Sequence, residues 1–310
     1  MKNLYLTLIV VMISSHAWAW GKRGHEITSA VAVGILAESG KASYLKAHEF
    51  DLGYYSNVPD LIWRNIGEVI SKTEAPLHFL DWNKSFEKVF GTPLNLPLKF
   101  SDFKTQMGSN FDIQLGASPW RISELFVHCS ALATNLTRDV QGPLLVCMGT
   151  MAHYIQDLGV PLHVTDNYDG QMTNQKGVHA YFETAMVEAL NNKFELKEKV
   201  LKEALKKYSK LRTYNDDVNL LIRKFIGESN AKVNELLEID KSLNRESVDL
   251  AKKKFKALVI DRLAMSAAHT AIIWEEILKP VKKWDDKKFY FFDGKPEYMQ
   301  PKFLSESTQH

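Results

Sequence analysis

The stretch GPLLVCMGTMAHYIQDLGVPLH, residues 142–163, decides the fold. From Pro143 to Leu158 it is nearly apolar on every side and too long for an ordinary strand, so it reads as a helix buried all round. One histidine and one acid interrupt the apolar run, His153 and Asp157. They stand four residues apart and share a helix face. An ionised Asp157 without a partner is costly to bury there, and a bound cation removes that cost.

Outward from this helix, the chain reads as helical. Apolar residues recur at helical spacing from His25 to Leu36 and from Pro119 to Leu136. A further helix is expected from Pro59 to Ile70, with proline near its first turn. Val178 to Leu190 is amphipathic. Glu195 to Glu238 predicts two long charged helices with a break near Thr213–Asp216, and Ser247 to Leu278 predicts a long last helix that Pro280 stops. Two long loops are expected, Gly91–Ala117 and Val164–Gly177. Period-two alternation is scarce. The fold class is therefore all-α, a single compact multi-helix domain over residues 20–310 with long loops around a buried metal cluster. The segment from Trp284 to Phe303 mixes aromatics with lysine and proline and is expected to dock on the domain surface.

The first nineteen residues read as a signal peptide. Lys2 precedes an apolar run from Leu4 to Ile13, and Ala17-Trp18-Ala19 is an A-x-A cleavage site. The expectation is export to the periplasm or the medium, with Trp20 as the new N-terminus and no transmembrane segment in the mature chain. A net charge of +2 neither demands nor excludes a polyanionic partner. No obligate protein partner is evident. The only cysteines are Cys129 and Cys147. In an exported protein they suit one disulfide, and as small core residues they suit two buried thiols equally well.

His153 and Asp157 do not stand alone. His163 follows six residues after Asp157, and His179 and Glu183 repeat the spacing of four on the next helix. Asp60 and His78 stand upstream, and His25 follows the predicted cleavage point. Imidazole nitrogen and carboxylate oxygen both suit zinc, although such mixed sites also take other first-row metals. One His-x-x-x-Asp pair is commonly a solvated or satisfied pair. Two such pairs, with Pro161-Leu162-His163 between them, favour metal.

The run His153-Tyr-Ile-Gln-Asp157, then Pro161-Leu162-His163, then His179-Ala-Tyr-Phe-Glu183 resembles the zinc-dependent phosphoesterases with a three-metal cluster. That superfamily joins the fungal single-strand-specific nucleases and the bacterial zinc-dependent phospholipases C. Its mature chains begin with a tryptophan that binds metal through its backbone, and Trp20-Gly21 with Gly24-His25 is similar. Ser56–Asp60 and Ala75–Asp81 resemble the upstream motifs. The resemblance covers Trp20 to about Thr184 in scattered motifs.

It implies three zinc ions per chain. One takes His163, His179 and Glu183. A second takes Asp60, His78 and His153. The third takes the Trp20 backbone and His25, with Asp157 bridging the last two. Three divalent ions outweigh these three carboxylates and one hydroxide, and that surplus suits a phosphodiester. Metal lowers the pKa of its water toward roughly 7, and Asp60 is the candidate to orient that water or take its proton. Arg64, a turn after Asp60, is a candidate phosphate contact. The comparable arginine of the nucleases comes one residue earlier, where this chain has Trp63.

The substrate reading divides. Phe79 and Asp81 follow His78 as in the nucleases, where the phenylalanine stacks on a base and the aspartate reads its edge. Core packing is an equal reading for Phe79. Glu183 stands where the nucleases usually have aspartate and the phospholipases glutamate. Against a phospholipase, Leu61 follows Asp60 where those enzymes use an aromatic. The expectation is a hydrolase, acting as an endonuclease or 3′-nucleotidase on single-stranded nucleic acid or nucleotides. A phospholipase C taking phosphatidylcholine-type head groups is the alternative. A non-catalytic, zinc-stabilised binding protein using the Val164–Gly177 loop is the alternative of another class. Of the other histidines, His128 and His269 read as core residues, and His48 and His310 as surface ones.

Overall fold

The computed structural model describes residues 20–191, 195–243, 245, 247–284 and 299–304. The predicted signal peptide and His310 lie outside them. In chain order the helices are α1 (Lys22–Glu38), α2 (Glu49–Tyr55), α3 (Val58–Leu61), α4 (Glu68–Glu74), α5 (Lys84–Phe90), α6 (Phe100–Met107), α7 (Ser118–Thr134) and α8 (Gln141–Asp157). There follow α9 (Val178–Ala180), which a π turn over Tyr181–Met186 joins to α10 (Val187–Leu190), then α11 (Glu195–Arg212), α12 (Val218–Asn230), α13 (Val233–Lys241) and α14 (Val248–Leu278). Among the described residues the sole β pairing is one isolated bridge, Leu80 to Gly116. The fold is all-α.

α8 is the central element, as its apolar sequence predicts: every residue of it except Pro143 is buried. α1, α2, α7 and α14 surround it, and α11 packs across α14 and α1. Two glycines permit this density. A Cβ on Gly149 would lie 2.4 Å from the Tyr55 Cβ, so glycine lets α2 lie against α8. A Cβ on Gly159 would lie 1.8 Å from the Ser266 hydroxyl, so glycine lets α14 close over the end of α8. Cys129 and Cys147 are not free thiols. They form a disulfide, with Cα atoms 5.7 Å apart, that ties α7 to α8. Among the described residues α14 alone is long and apolar enough to cross a membrane, and 72% of that stretch is buried in the fold, as befits a core helix.

Several elements differ from expectation. The helix expected over Pro59–Ile70 is divided into α3, a 3-10 turn at Trp63–Asn65, and α4. Asn65 turns its side-chain amide back onto the Leu61 carbonyl at 3.0 Å, in competition with the helix ladder, and extended Gly67 precedes α4. The expected loop Gly91–Ala117 contains α6, which buries Phe100, Phe103 and Met107 in an aromatic cluster with Phe86, Phe90 and Trp120. The break near Thr213–Asp216 is present, and α12 begins with Asp217 capping the amides of Asn219 and Leu220. A second break at Ala231–Lys232 makes three helices of the expected two.

His48 is buried, not exposed as expected: Nδ1 lies 2.7 Å from Asp51, and Nε2 accepts from the Trp284 indole at 3.0 Å. With both nitrogens partnered, its burial costs little. His128 is half-buried on α7 and not a core residue. His269 is a core residue, stacked on Phe225 with centroids 3.9 Å apart. The described part of the C-terminal segment docks: Met299 is fully buried, and Phe303 packs edge-on against Phe100.

Candidate metal centre

Six elements bring the expected ligands together. α1 carries His25, α3 carries Asp60, and the turn after α4 carries His78. α8 contributes His153 and Asp157, one turn apart on one face. The short turn Pro161–Val164 adds His163, and α9 with its π turn adds His179 and Glu183. π turns are rare and cluster at functional sites; this one spans Glu183.

The side chains form three groups able to hold a cation: His25, Asp60 and His153; His78, His153 and Asp157; and His163, His179 and Glu183. Within each group the ligand atoms lie within 4.8 Å of one another, and all these residues are buried. Asp157 faces two ways. Oδ1 is 3.4 Å from His25 Nε2, while Oδ2 is 3.0 Å from His78 Nδ1 and 3.3 Å from His153 Nε2. Asp60 Oδ1 lies 3.6 Å from His78 Nδ1 and 3.9 Å from His153 Nε2. In the other group, Glu183 Oε2 is 3.0 Å from His179 Nε2 and 3.7 Å from His163 Nε2. The expected division is kept for the third group. Among the first two, His153 is shared and Asp60 also converges with His25.

Groups behind the ligands orient them. His25 Nδ1 is 2.6 Å from the Gln156 side-chain oxygen, His153 Nδ1 is 2.7 Å from the Ser56 carbonyl, and His163 Nδ1 is 2.9 Å from the His78 carbonyl. In each the far nitrogen is occupied and Nε2 is aimed into the cluster, as metal-bound imidazoles are held.

The inward atoms fit a cation. His25 Nε2, Asp157 Oδ1, His163 Nε2, His179 Nε2 and both Glu183 oxygens are buried without a hydrogen-bond partner among the described residues. So many orphaned polar atoms in one place are unfavourable unless an ion is bound. Without one, the protonation balance is perturbed. Burial lowers His25, His153 and His163 below the ordinary imidazole range and brings His179 to about 4. Burial raises Asp157 and brings Glu183 up to about 8. His78 is also desolvated, but Asp157, Glu74 and Asp60 outweigh that and raise it to about 9.

Trp20 is fully buried at the start of α1 and packs on Phe182, the residue before Glu183, with ring centroids 5.7 Å apart. Gly21 fits beside Thr184, whose hydroxyl would meet an added Cβ at 2.6 Å. The start of the described chain thus lies along the Glu183 element.

A cavity of about 350 Å³ opens onto the cluster, with His78, His163 and His179 on its wall. Arg64, Phe79, Asp81, Gln114, Leu162 and Tyr168 line the rest. Phe79 is half-buried and faces this space, so it is not a core residue. The segment that carries it is clamped. Asp81 N donates to Leu115 O, Ser118 N donates to Phe79 O, and Leu80 N donates to His163 O. Gly116, at φ 96°, permits the approach, since a Cβ there would sit 2.2 Å from the Phe79 carbonyl. Burial and nearby Asp166 raise the Asp81 carboxyl to about 8. Arg64 lies 3.3 Å from Asp60 Oδ1 and reaches the cavity from there.

Glu74, Gln156, Gln114 and Tyr168 join the site without having been expected from the sequence. Glu74 carried a signal, since it stands four residues before His78. The chain matches no family model and no curated protein.

Proposed function

We propose that the chain is a metal-dependent phosphodiesterase, with zinc in the three ligand groups and single-stranded nucleic acid or nucleotides as substrate. One observation carries this reading. Three of the buried ligands, His78, His163 and His179, also form the wall of an open cavity that holds an arginine, an aromatic ring and a carboxyl group. A structural metal site is closed to substrate, so this opening favours catalysis over the binding-module reading. Bound zinc would supply an activated water and offset the charge on phosphoryl oxygens.

The side chains divide the remaining tasks. Asp60 reaches the cluster beside Arg64 and would orient the attacking water and accept its proton. Arg64 would then be drawn from Asp60 toward a phosphate oxygen. Phe79 offers a ring for base stacking. Asp81, protonated below about pH 8, can donate a hydrogen bond as well as accept one. Trp20 would complete the centre through its backbone once it is the N-terminus, which ties activity to export.

One observation favours the phospholipid reading. Tyr168 on the cavity wall is 48% exposed. An exposed aromatic on the wall of the site suits a lipid surface. The deciding experiment is a side-by-side assay of protein beginning at Trp20 and loaded with zinc. Single-stranded DNA, RNA and phosphatidylcholine vesicles are the substrates. Hydrolysis of either nucleic acid, lost on chelation and restored by zinc, is expected. Hydrolysis of lipid alone overturns the nuclease reading. Inertness toward all three, with metal bound, overturns the catalytic one.

A further inference from the structure

Behind His78, on the side away from the cluster, lies a buried polar chain that the proposed chemistry does not use. His78 aims Nδ1 at Asp157 and Asp60, and its other nitrogen, Nε2, is 3.6 Å from Glu74 Oε1. Glu74 is fully buried and accepts a hydrogen bond from the Tyr154 hydroxyl. The Tyr154 ring lies under the Arg121 guanidinium, 5.5 Å from its centroid, and Arg121 is fully buried too. Arg121 ion-pairs with Glu124 at 2.7 Å and donates to the Met299 carbonyl. Glu124 in turn accepts from the backbone amide of Lys302 at 2.6 Å.

We propose that Glu74 is a positioning residue for the metal centre and that the docked C-terminal segment holds it in place through Glu124, Arg121 and Tyr154. Histidine has two nitrogens, and the acceptor on one decides which lone pair the other presents. A carboxylate 3.6 Å from Nε2, too far for a hydrogen bond, still favours a proton on that nitrogen by its charge and leaves Nδ1 to face the ion. Glu74 is buried, so its place depends on the groups packed behind it, first the Tyr154 hydroxyl and then Arg121 over the Tyr154 ring. A buried guanidinium needs carbonyl and carboxylate acceptors of its own, and Met299 and Glu124 provide them. The C-terminal segment therefore sits at the end of a continuous path to one metal ligand. This inference rests on the metal-centre part of the proposed function, not on the identity of the substrate.

The test measures metal affinity, not turnover. Wild type, Glu74→Ala, Glu74→Gln, Tyr154→Phe and Glu124→Gln are titrated with zinc and, separately, with cobalt, whose visible spectrum reports the ligand field. Helicity is checked by circular dichroism. Glu74→Ala is expected to lose about 10- to 100-fold in affinity for one metal equivalent, with the others unchanged and the cobalt bands altered. Glu74→Gln, which keeps an acceptor, recovers part of that loss. Tyr154→Phe and Glu124→Gln, the second at a partly exposed residue and so the variant least prone to misfold, weaken the same equivalent by a smaller factor. If all folded variants bind every equivalent as wild type does, the positioning role is overturned. If only the Glu74 variants respond, the link to the C-terminal segment is overturned. If wild type itself binds no metal, the metal-centre reading fails and this role fails with it.

Discussion

Asp157 shows how much one side chain decides. Its two oxygens face different ligand groups, so together with His153 it connects them. Asp157→Asn keeps the shape but removes the charge that offsets the cations, and the protein is expected to lose at least one bound equivalent, measured by metal analysis after gel filtration. Phe79 tests the substrate instead. Its ring faces the cavity, and a stacked base is worth roughly 1–3 kcal/mol, so Phe79→Ala should lower kcat/KM on a dinucleotide by about 5- to 150-fold. The same change should leave hydrolysis of a small phosphodiester without a base nearly untouched. An equal loss on both would remove the stacking role. At this scale the ligand pairs were legible because a spacing of four puts side chains on one helix face. Glu74 has that spacing from His78 and was still not legible, because the pair falls across the end of α4 and a turn, where no helical pattern links them. His48 read as exposed because its neighbours Lys46 and Glu49 are polar. Its partner Trp284 lies far along the chain, beyond the reach of local pattern.

Elements were legible where the apolar pattern was long. α8 and α14 appear close to their expected limits because a buried helix needs a sustained apolar sequence. The Pro59–Ile70 segment was not, because Asn65 and Gly67 break it by local hydrogen bonding and extended backbone. No apolar count reveals such a break. α6 escaped because a helix of eight residues shows barely two turns of periodicity. The packing of α2 on α8 makes a further prediction. Replacing a mid-helix glycine with alanine ordinarily gains about 1 kcal/mol of helix propensity. At Gly149 the added Cβ would stand 2.4 Å from Tyr55 and 3.3 Å from the Leu52 carbonyl, so α2 must move. Overpacking of that kind typically costs about 1–3 kcal/mol, so Gly149→Ala should be net destabilising in a denaturant titration. Because α2 leads into the Ser56 carbonyl that holds His153 and into Asp60, zinc affinity should fall with it. A variant more stable than wild type would mean that α2 and α8 are not packed in this way.

For the whole molecule, the cluster couples folding to metal and to pH. In the metal-free protein, burial raises Asp157 and brings Glu183 and Asp81 to about 8. A carboxylate raised in the fold binds more protons folded than unfolded, so stability is lost as pH rises from its ordinary value toward the raised one. His78, raised to about 9, contributes stability that is present below pH 6.5 and lost as pH rises through 9. The lowered histidines, His25, His153, His163 and His179, act the other way, but only below about 6.5, where the unfolded chain takes up their protons. Between about pH 6.5 and 9 every shifted group in the cluster therefore pushes in one direction. The melting temperature of chelator-treated protein should fall steadily across that window. Zinc reverses the sign of the coupling. It needs deprotonated carboxylates and neutral imidazoles, so its affinity rises with pH, and ligand at 100 times Kd adds about 2.7 kcal/mol to the folded state. Melting scans from pH 6.5 to 9, with and without zinc, should diverge, the gap widening toward alkaline pH. Parallel curves would mean that the buried histidines and carboxylates do not share an ion.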